Sequence, residues 1–199
     1  MKTNEILVNT LGEGMVFALE ESERAGFESG LDSKEQLRLR LLSEELFGMM
    51  KSIVGNLEAI YWIEYEHGRF DIHLKAEVDL TQESYAQLLE VSSTGKNAAV
   101  KGFMNKIKNM IAVMMLPQKD IPDTSMLGYM SLGCPGYYAG ASSYAWTMTS
   151  YRSGLDQEGK DAEEEKDELE RSIVANIADD IKVSIVNDKV EIVISKTFN

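Results

Sequence analysis

Two pairs of short segments in this chain alternate apolar and polar residues with a period of two, and each pair is joined by a turn. In the first, Ile60, Trp62 and Glu64 fall on one side and Tyr61, Ile63 and Tyr65 on the other. After His67-Gly68, the residues Phe70, Ile72 and Leu74 alternate with Asp71, His73 and Lys75. In the second, Ile181-Lys182-Val183-Ser184-Ile185-Val186 leads through Asn187-Asp188, which suits the positive φ of a tight turn, into Val190-Glu191-Ile192-Val193-Ile194. A period of two sends successive side chains to opposite faces, so both runs predict β-hairpins with one apolar face. A lone hairpin is at best marginally stable in water. The two hairpins, Ile60 to Val78 and Ile181 to Thr197, are therefore expected to be antiparallel neighbours in one sheet.

The other regular pattern is helical. Met15, Phe17, Ala18, Glu21 and Ala25 predict a modestly amphipathic helix from about Gly14 to Ser29, ended by a turn at Gly30. Asp32 or Ser33 can then accept hydrogen bonds from the free amides of a second helix, with Glu35 favourable in its first turn. Leu39, Leu42, Leu46, Met49 and Ile53 recur every three or four residues along it, and Gly55-Asn56 is a natural stop. Leu39, Leu42, Leu46 and Ile53 are expected to pack on the sheet. Further helices are expected at about Gln82 to Val91, Ala98 to Met115 and Glu163 to Ala178. Between them, a stretch rich in Gly, Ser, Tyr and Met, centred on Gly133-Cys134-Pro135-Gly136-Tyr137-Tyr138, reads as a long irregular insertion at about 117–160. Connections of that length are functional or disordered as a rule, and the aromatics favour a packed one. Helices placed between antiparallel hairpins predict an α+β two-layer sandwich: one domain over 1–199, its mainly antiparallel mixed sheet covered on one face by helices.

Charge narrows the function classes. The 33 acidic against 20 basic residues give a net charge of −13, a field that repels nucleic-acid phosphates and anionic membranes. More than half of that excess sits between Asp156 and Glu170, which reads as a solvated loop and helix face or a docking surface for a basic partner. One cysteine, Cys134, can form no internal disulfide, which fits a reducing compartment. No hydrophobic run suggests a leader or a membrane span, so a cytoplasmic protein is expected.

Chemistry-bearing motifs are sparse. With only His67 and His73 and no cysteine pair, a zinc site of three or four N/S ligands is not expected. His73 reads as an outward-facing strand residue. No Gly-x-Ser-x-Gly elbow is present. Ser92-Ser93-Thr94-Gly95-Lys96-Asn97 evokes a phosphate-binding loop, but Asn97 stands where Ser or Thr would hold magnesium and Glu90 where the first Gly should be. Free amides and a cation at a helix start can still receive an anion, and helix capping explains the same residues.

On the second helix, Ser43-Glu44-Glu45-Leu46-Phe47-Gly48-Met49-Met50, together with the order of elements along most of the chain, resembles the Bergerat-fold (GHKL) ATPases. That superfamily contains histidine kinases, DNA gyrase, heat-shock chaperones, mismatch-repair ATPases and anti-sigma-factor kinases. In it a helix carries a Glu that can activate water and, four residues on, a magnesium-binding Asn. An antiparallel strand pair leads to an Asp-x-Gly-x-Gly turn whose Asp binds adenine, and a Gly-containing lid and a closing strand pair follow. The resemblance puts Glu45 at the catalytic Glu and Asp79 at the adenine-binding Asp. It puts Thr94, Gly95, Lys96, Asn97 and Gly102 in the lid. The chain departs from the pattern in two places: Met49 stands at the Asn position, and Asp79-Leu80-Thr81-Gln82-Glu83 lacks both glycines. The resemblance then implies a non-catalytic regulatory or protein-interaction module that binds ATP or another adenine nucleotide weakly at most and without magnesium. An unidentified protein, or a second copy in a homodimer, would be its partner. The alternative is an active ATP-binding GHKL-type ATPase or an anti-sigma-type kinase.

Overall fold

The computed structural model describes residues 1–54, 58–77, 107, 143–158, 163–186 and 189–198. Six strands, β1 (Ile6–Asn9), β2 (Glu58–Glu66), β3 (Arg69–Glu77), β4 (Ser143–Thr147), β5 (Asp180–Val186) and β6 (Lys189–Thr197), form one sheet in the order β1-β2-β3-β6-β5-β4. The two expected hairpins are neighbours: β3 lies against β6, with Leu74 opposite Ile192 and Ile72 opposite Ile194. All pairings among the described strands are antiparallel. The turn between β2 and β3 holds both His67 and Gly68 at positive φ, 50° and 80°, the geometry whose twist matches that of the flanking strands. A Cβ on Gly68 would also lie 2.6 Å from the Phe198 carbonyl oxygen, so glycine is required there twice over.

Described helices are α1 (Met15–Glu28), α2 (Ser33–Val54), α3 (Met148–Glu158), α4 (Glu163–Arg171) and α5 (Ile173–Ile177). Asp32 caps α2 by accepting from the amides of Lys34 and Glu35 at 2.9 and 2.8 Å, while the Glu35 carboxylate accepts from the Asp32 amide at 3.0 Å. This reciprocal box satisfies amides that a helix start leaves free. At the start of α1, Gly14 has φ of 75° and passes so close to β1 that a Cβ would meet the Leu7 carbonyl oxygen at 2.0 Å. No helix among the described residues is long and apolar enough to cross a membrane.

Helices cover one face of the sheet. Tyr61, Leu74, Ile192, Val183 and Trp146 stand opposite one another from β2 across to β4, each at most 2% exposed. Over them α1 touches β1 and β2, α2 touches β3 and β6, and α3 touches β4 and β5. Leu39, Leu42 and Leu46 of α2 are fully buried in this core, which runs without a break from Val8 to Phe198. Phe17, counted on the apolar side of α1, is instead 66% exposed.

Two expectations are corrected and one strand is added. Residues 143–158, read as irregular, form strand β4 and helix α3, because Trp146, Met148, Tyr151 and Leu155 bury themselves in the core and override a weak local pattern. The single helix expected over Glu163 to Ala178 is divided at Ser172, whose extended backbone (ψ 120°) and side chain, accepting from the Ala175 amide at 3.3 Å, start a new helix. Strand β1 was not marked by any periodicity. It pairs with β2 from Ile6 opposite Tyr61 to Asn9 opposite Glu58, and residues before it continue along β2 with Lys2 bridged to Glu64. The helices expected at Gln82 to Val91 and Ala98 to Met115 lie outside the described residues apart from Ile107, which is helical and buried. In the acidic run, Asp156, Glu163, Asp167 and Glu170 are exposed, as expected, and Leu169 anchors α4 to the core.

Candidate functional site

Helix α2 carries the one sequence-predicted site residue that the described structure places. Glu45 lies on the margin between the buried stripe and solvent, half-buried, and no hydrogen bond or ion pair reaches it among the described residues. Burial raises its pKa above the ordinary carboxyl value, and the neighbouring Glu44 carboxylate raises it further. Glu44 itself turns outward to an Arg40 side chain 3.0 Å away, and Arg40 also pairs with Glu23 of α1. An unpaired carboxyl at the edge of the core can take up or release a proton, provided water or substrate comes within hydrogen-bonding reach. One turn further on, Met49 is 4% exposed and belongs to the hydrophobic core. Asp79, Thr94, Gly95, Lys96, Asn97 and Gly102 lie outside the described residues. Their proximity to Glu45 is therefore an expectation of the sequence alone. Among the described residues no group of three or more His, Cys, Asp or Glu side chains is arranged to hold a metal ion.

Beneath α2 a hydroxyl cluster joins the helical layer to the sheet. The Tyr61 hydroxyl lies 2.8 Å from Ser43 Oγ, which donates to the Leu39 carbonyl and lies 3.3 Å from Ser22 Oγ. All three side chains are buried, and desolvation pushes the Tyr61 phenol far above its ordinary pKa, against the smaller opposing pull of Ser43 and Ser22. This cluster satisfies buried polar groups and positions α1 and α2 over β2. A phenol so hard to ionise is no proton donor near neutrality.

The face of the sheet opposite the described helices holds a second constellation. Trp62 of β2 and His73 of β3 stand directly opposite each other and stack, ring centroids 4.6 Å apart and planes within 9° of parallel. The Lys2 ammonium sits 4.6 Å from the Trp62 ring centroid, a cation–π contact. Trp62 Nε1 donates to Glu64 at 3.0 Å, and His73 Nδ1 lies 3.0 Å from the Glu191 carboxylate of β6. Farther along β3, Asp71 accepts from Arg69 at 3.0 Å and from Ser195 Oγ at 2.5 Å. Burial would raise the Asp71 pKa, but these hydrogen bonds outweigh it and hold the carboxyl below its ordinary value. Beside the stack an open groove of about 880 Å³ is floored by Leu7, Ile60 and Trp62 and rimmed by Lys2, Lys75 and Lys189, with three glutamates interspersed. Leu7 and Ile60, paired across β1 and β2, are 61% and 39% exposed.

No protein-family model, curated protein or solved structure matches the chain.

Sequence reasoning read His73 correctly as lying on the outward face of its strand but missed its surroundings. The signal was available: a two-residue turn at His67-Gly68 sets Trp62 opposite His73 on the same face. Glu191 beside His73 has no such signal, because the register between β3 and β6 joins segments far apart in the chain.

Proposed function

We propose that the chain is a non-catalytic regulatory or protein-interaction module of histidine-kinase-like ATPase type, binding adenine nucleotide weakly at most. Burial of Met49 carries the reading. At the position where the resembling family needs a magnesium ligand, the chain has a thioether that is soft, weakly accepting and packed into the hydrophobic core. Without that ligand the ion has no helix-borne anchor from which to bridge phosphates and neutralise charge as a phosphoryl group is transferred. The groove on the face opposite the described helices, with an apolar floor inside a rim of mixed charge, supports a protein-contact role.

A second reading, an active ATPase or kinase, is favoured by one observation. Glu45 is a half-buried carboxyl raised in pKa with no cation opposite it among the described residues, as a general base can be. Calorimetry with ATP, with and without magnesium, and a turnover assay on wild type and Glu45→Ala separate the two. The regulator reading expects weak binding that magnesium does not strengthen, and no hydrolysis above background. Tight magnesium-dependent binding, with turnover abolished in Glu45→Ala, establishes the enzyme instead.

A further inference from the structure

We infer that the Trp62–His73 stack is a proton-operated latch on the face of the sheet opposite the described helices, closed when His73 is protonated and joining β2, β3 and β6. The inference is independent of nucleotide binding and rests on how the imidazole is surrounded. Its Nδ1 faces Glu191 Oε1 at 3.0 Å, whereas its Nε2 is buried and has no hydrogen-bond partner among the described residues. The nearest carboxylate oxygen to Nε2 is Glu64 Oε2, at 4.0 Å. The His73 side chain is 14% exposed, so solvent makes up little of the deficit. A neutral imidazole that donates from Nδ1 to Glu191 leaves Nε2 as a buried acceptor facing an acceptor, an arrangement that costs the desolvation of that nitrogen. Protonation makes both nitrogens donors. The ring can then bond Glu191 on one side and, with a movement of about 1 Å by a half-exposed side chain, Glu64 on the other.

Other charges on this face set the balance. Asp71, two residues before His73 on the same side of β3, adds to the negative field, and His73 in turn helps lower the Asp71 pKa. Opposing it are Lys75, which faces Glu191 across β3 and β6, and Lys2, which approaches Trp62 from the β1 side and is paired with Glu5 at 2.7 Å. Val193, directly opposite His73 on β6, is uncharged. Three carboxylates therefore lie on the ring's side of the sheet, of which Asp71 is paired with the Arg69 guanidinium, while Lys2 is paired with Glu5 and Lys75 stands opposite Glu191.

The chain's two tryptophans supply the readout. An imidazolium stacked on an indole quenches its fluorescence, whereas Trp146 is fully buried on the opposite face and serves as background. Emission should fall as pH drops from 8 to 5, keep no such step in His73→Gln or Trp62→Phe, and show the step at lower pH in Glu64→Gln. A thermodynamic cycle over His73→Gln and Glu64→Gln should give a coupling of about two- to fivefold in the unfolding equilibrium at the acid end and none at pH 8. A wild-type emission that stays level over this range, or a step that persists in His73→Gln, overturns the latch. So does a step that Glu64→Gln leaves in place. If His73→Gln does not fold, the proton resonances of the His73 ring in wild type and Glu64→Gln report the same titration.

Discussion

On the helix-covered face, Tyr61, Leu74, Ile192, Val183 and Trp146 line up strand by strand, while one residue along each strand Trp62, His73, Val193 and Lys182 form the corresponding row on the other face. Members of the first row are buried by helices and, Tyr61 apart, need no partner for a polar side chain other than the Trp146 indole. Trp62 and His73 of the second row stack on each other, while Lys182 is exposed. Alternation decides which residues share a face. The layer above decides whether polar groups there must find partners within the protein or can use water.

The comparison is tested most severely by truncating one residue on each side of the same strand. Leu74→Ala removes a fully buried side chain under α2 and is expected to cost about 2–5 kcal/mol in urea unfolding. Lys75→Ala, its neighbour on the other face, should stay within about 0.5 kcal/mol. Comparable losses from the two would mean that both faces are packed alike.

A smaller effect reports on how the helical layer is held. Tyr61→Phe keeps the ring and deletes the hydroxyl 2.8 Å from Ser43 Oγ, so a loss of about 1 kcal/mol in thermal or denaturant unfolding is expected. Ser43→Ala should cost a similar amount, and the double variant less than their sum, because both remove the same contact. Additive losses would separate Ser43 from Tyr61.

The smallest expected effect concerns acid. The Asp71 pKa is lower in the folded chain than in the unfolded one. The unfolded chain therefore binds the proton first as pH falls, and the stability that Asp71 contributes is present above its unfolded value, about 3.9, and lost as pH drops through its lower folded value. Asp71→Asn should flatten this part of the stability profile below about pH 4 by less than about 1 kcal/mol, since the Arg69 partner is solvent-exposed. Unfolding measured from pH 5 to pH 2 checks it. An undiminished acid loss in the variant would assign it to other carboxylates such as Asp179, which burial would raise but which Lys196 and the Thr197 amide hold low.

The hairpins, the turn at His67-Gly68, the cap at Asp32 and the buried stripe of α2 could be read from the chain because each depends on residues within a few positions of one another. The same holds for the burial of Met49, which follows from its place in the stripe with Leu39, Leu42 and Leu46. Glu45 could be singled out by residue type and spacing. Its half-buried setting, and the rise in its carboxyl pKa, come from the packing of α2 on the sheet. Strand β1, strand β4 and the break at Ser172 had weak local signals. They form because an open sheet edge offers backbone hydrogen bonds and because Trp146 and its neighbours find a core to enter. The sequence by itself determined the α+β class, the pairing of each hairpin and the face on which each strand residue stands, since periodicity and turn chemistry are local. Only the tertiary structure decided that Glu191 meets His73 and that Ser22, Ser43 and Tyr61 share one buried cluster. Each of those contacts joins distant segments, whose meeting depends on the burial of the whole core rather than on any short stretch of chain.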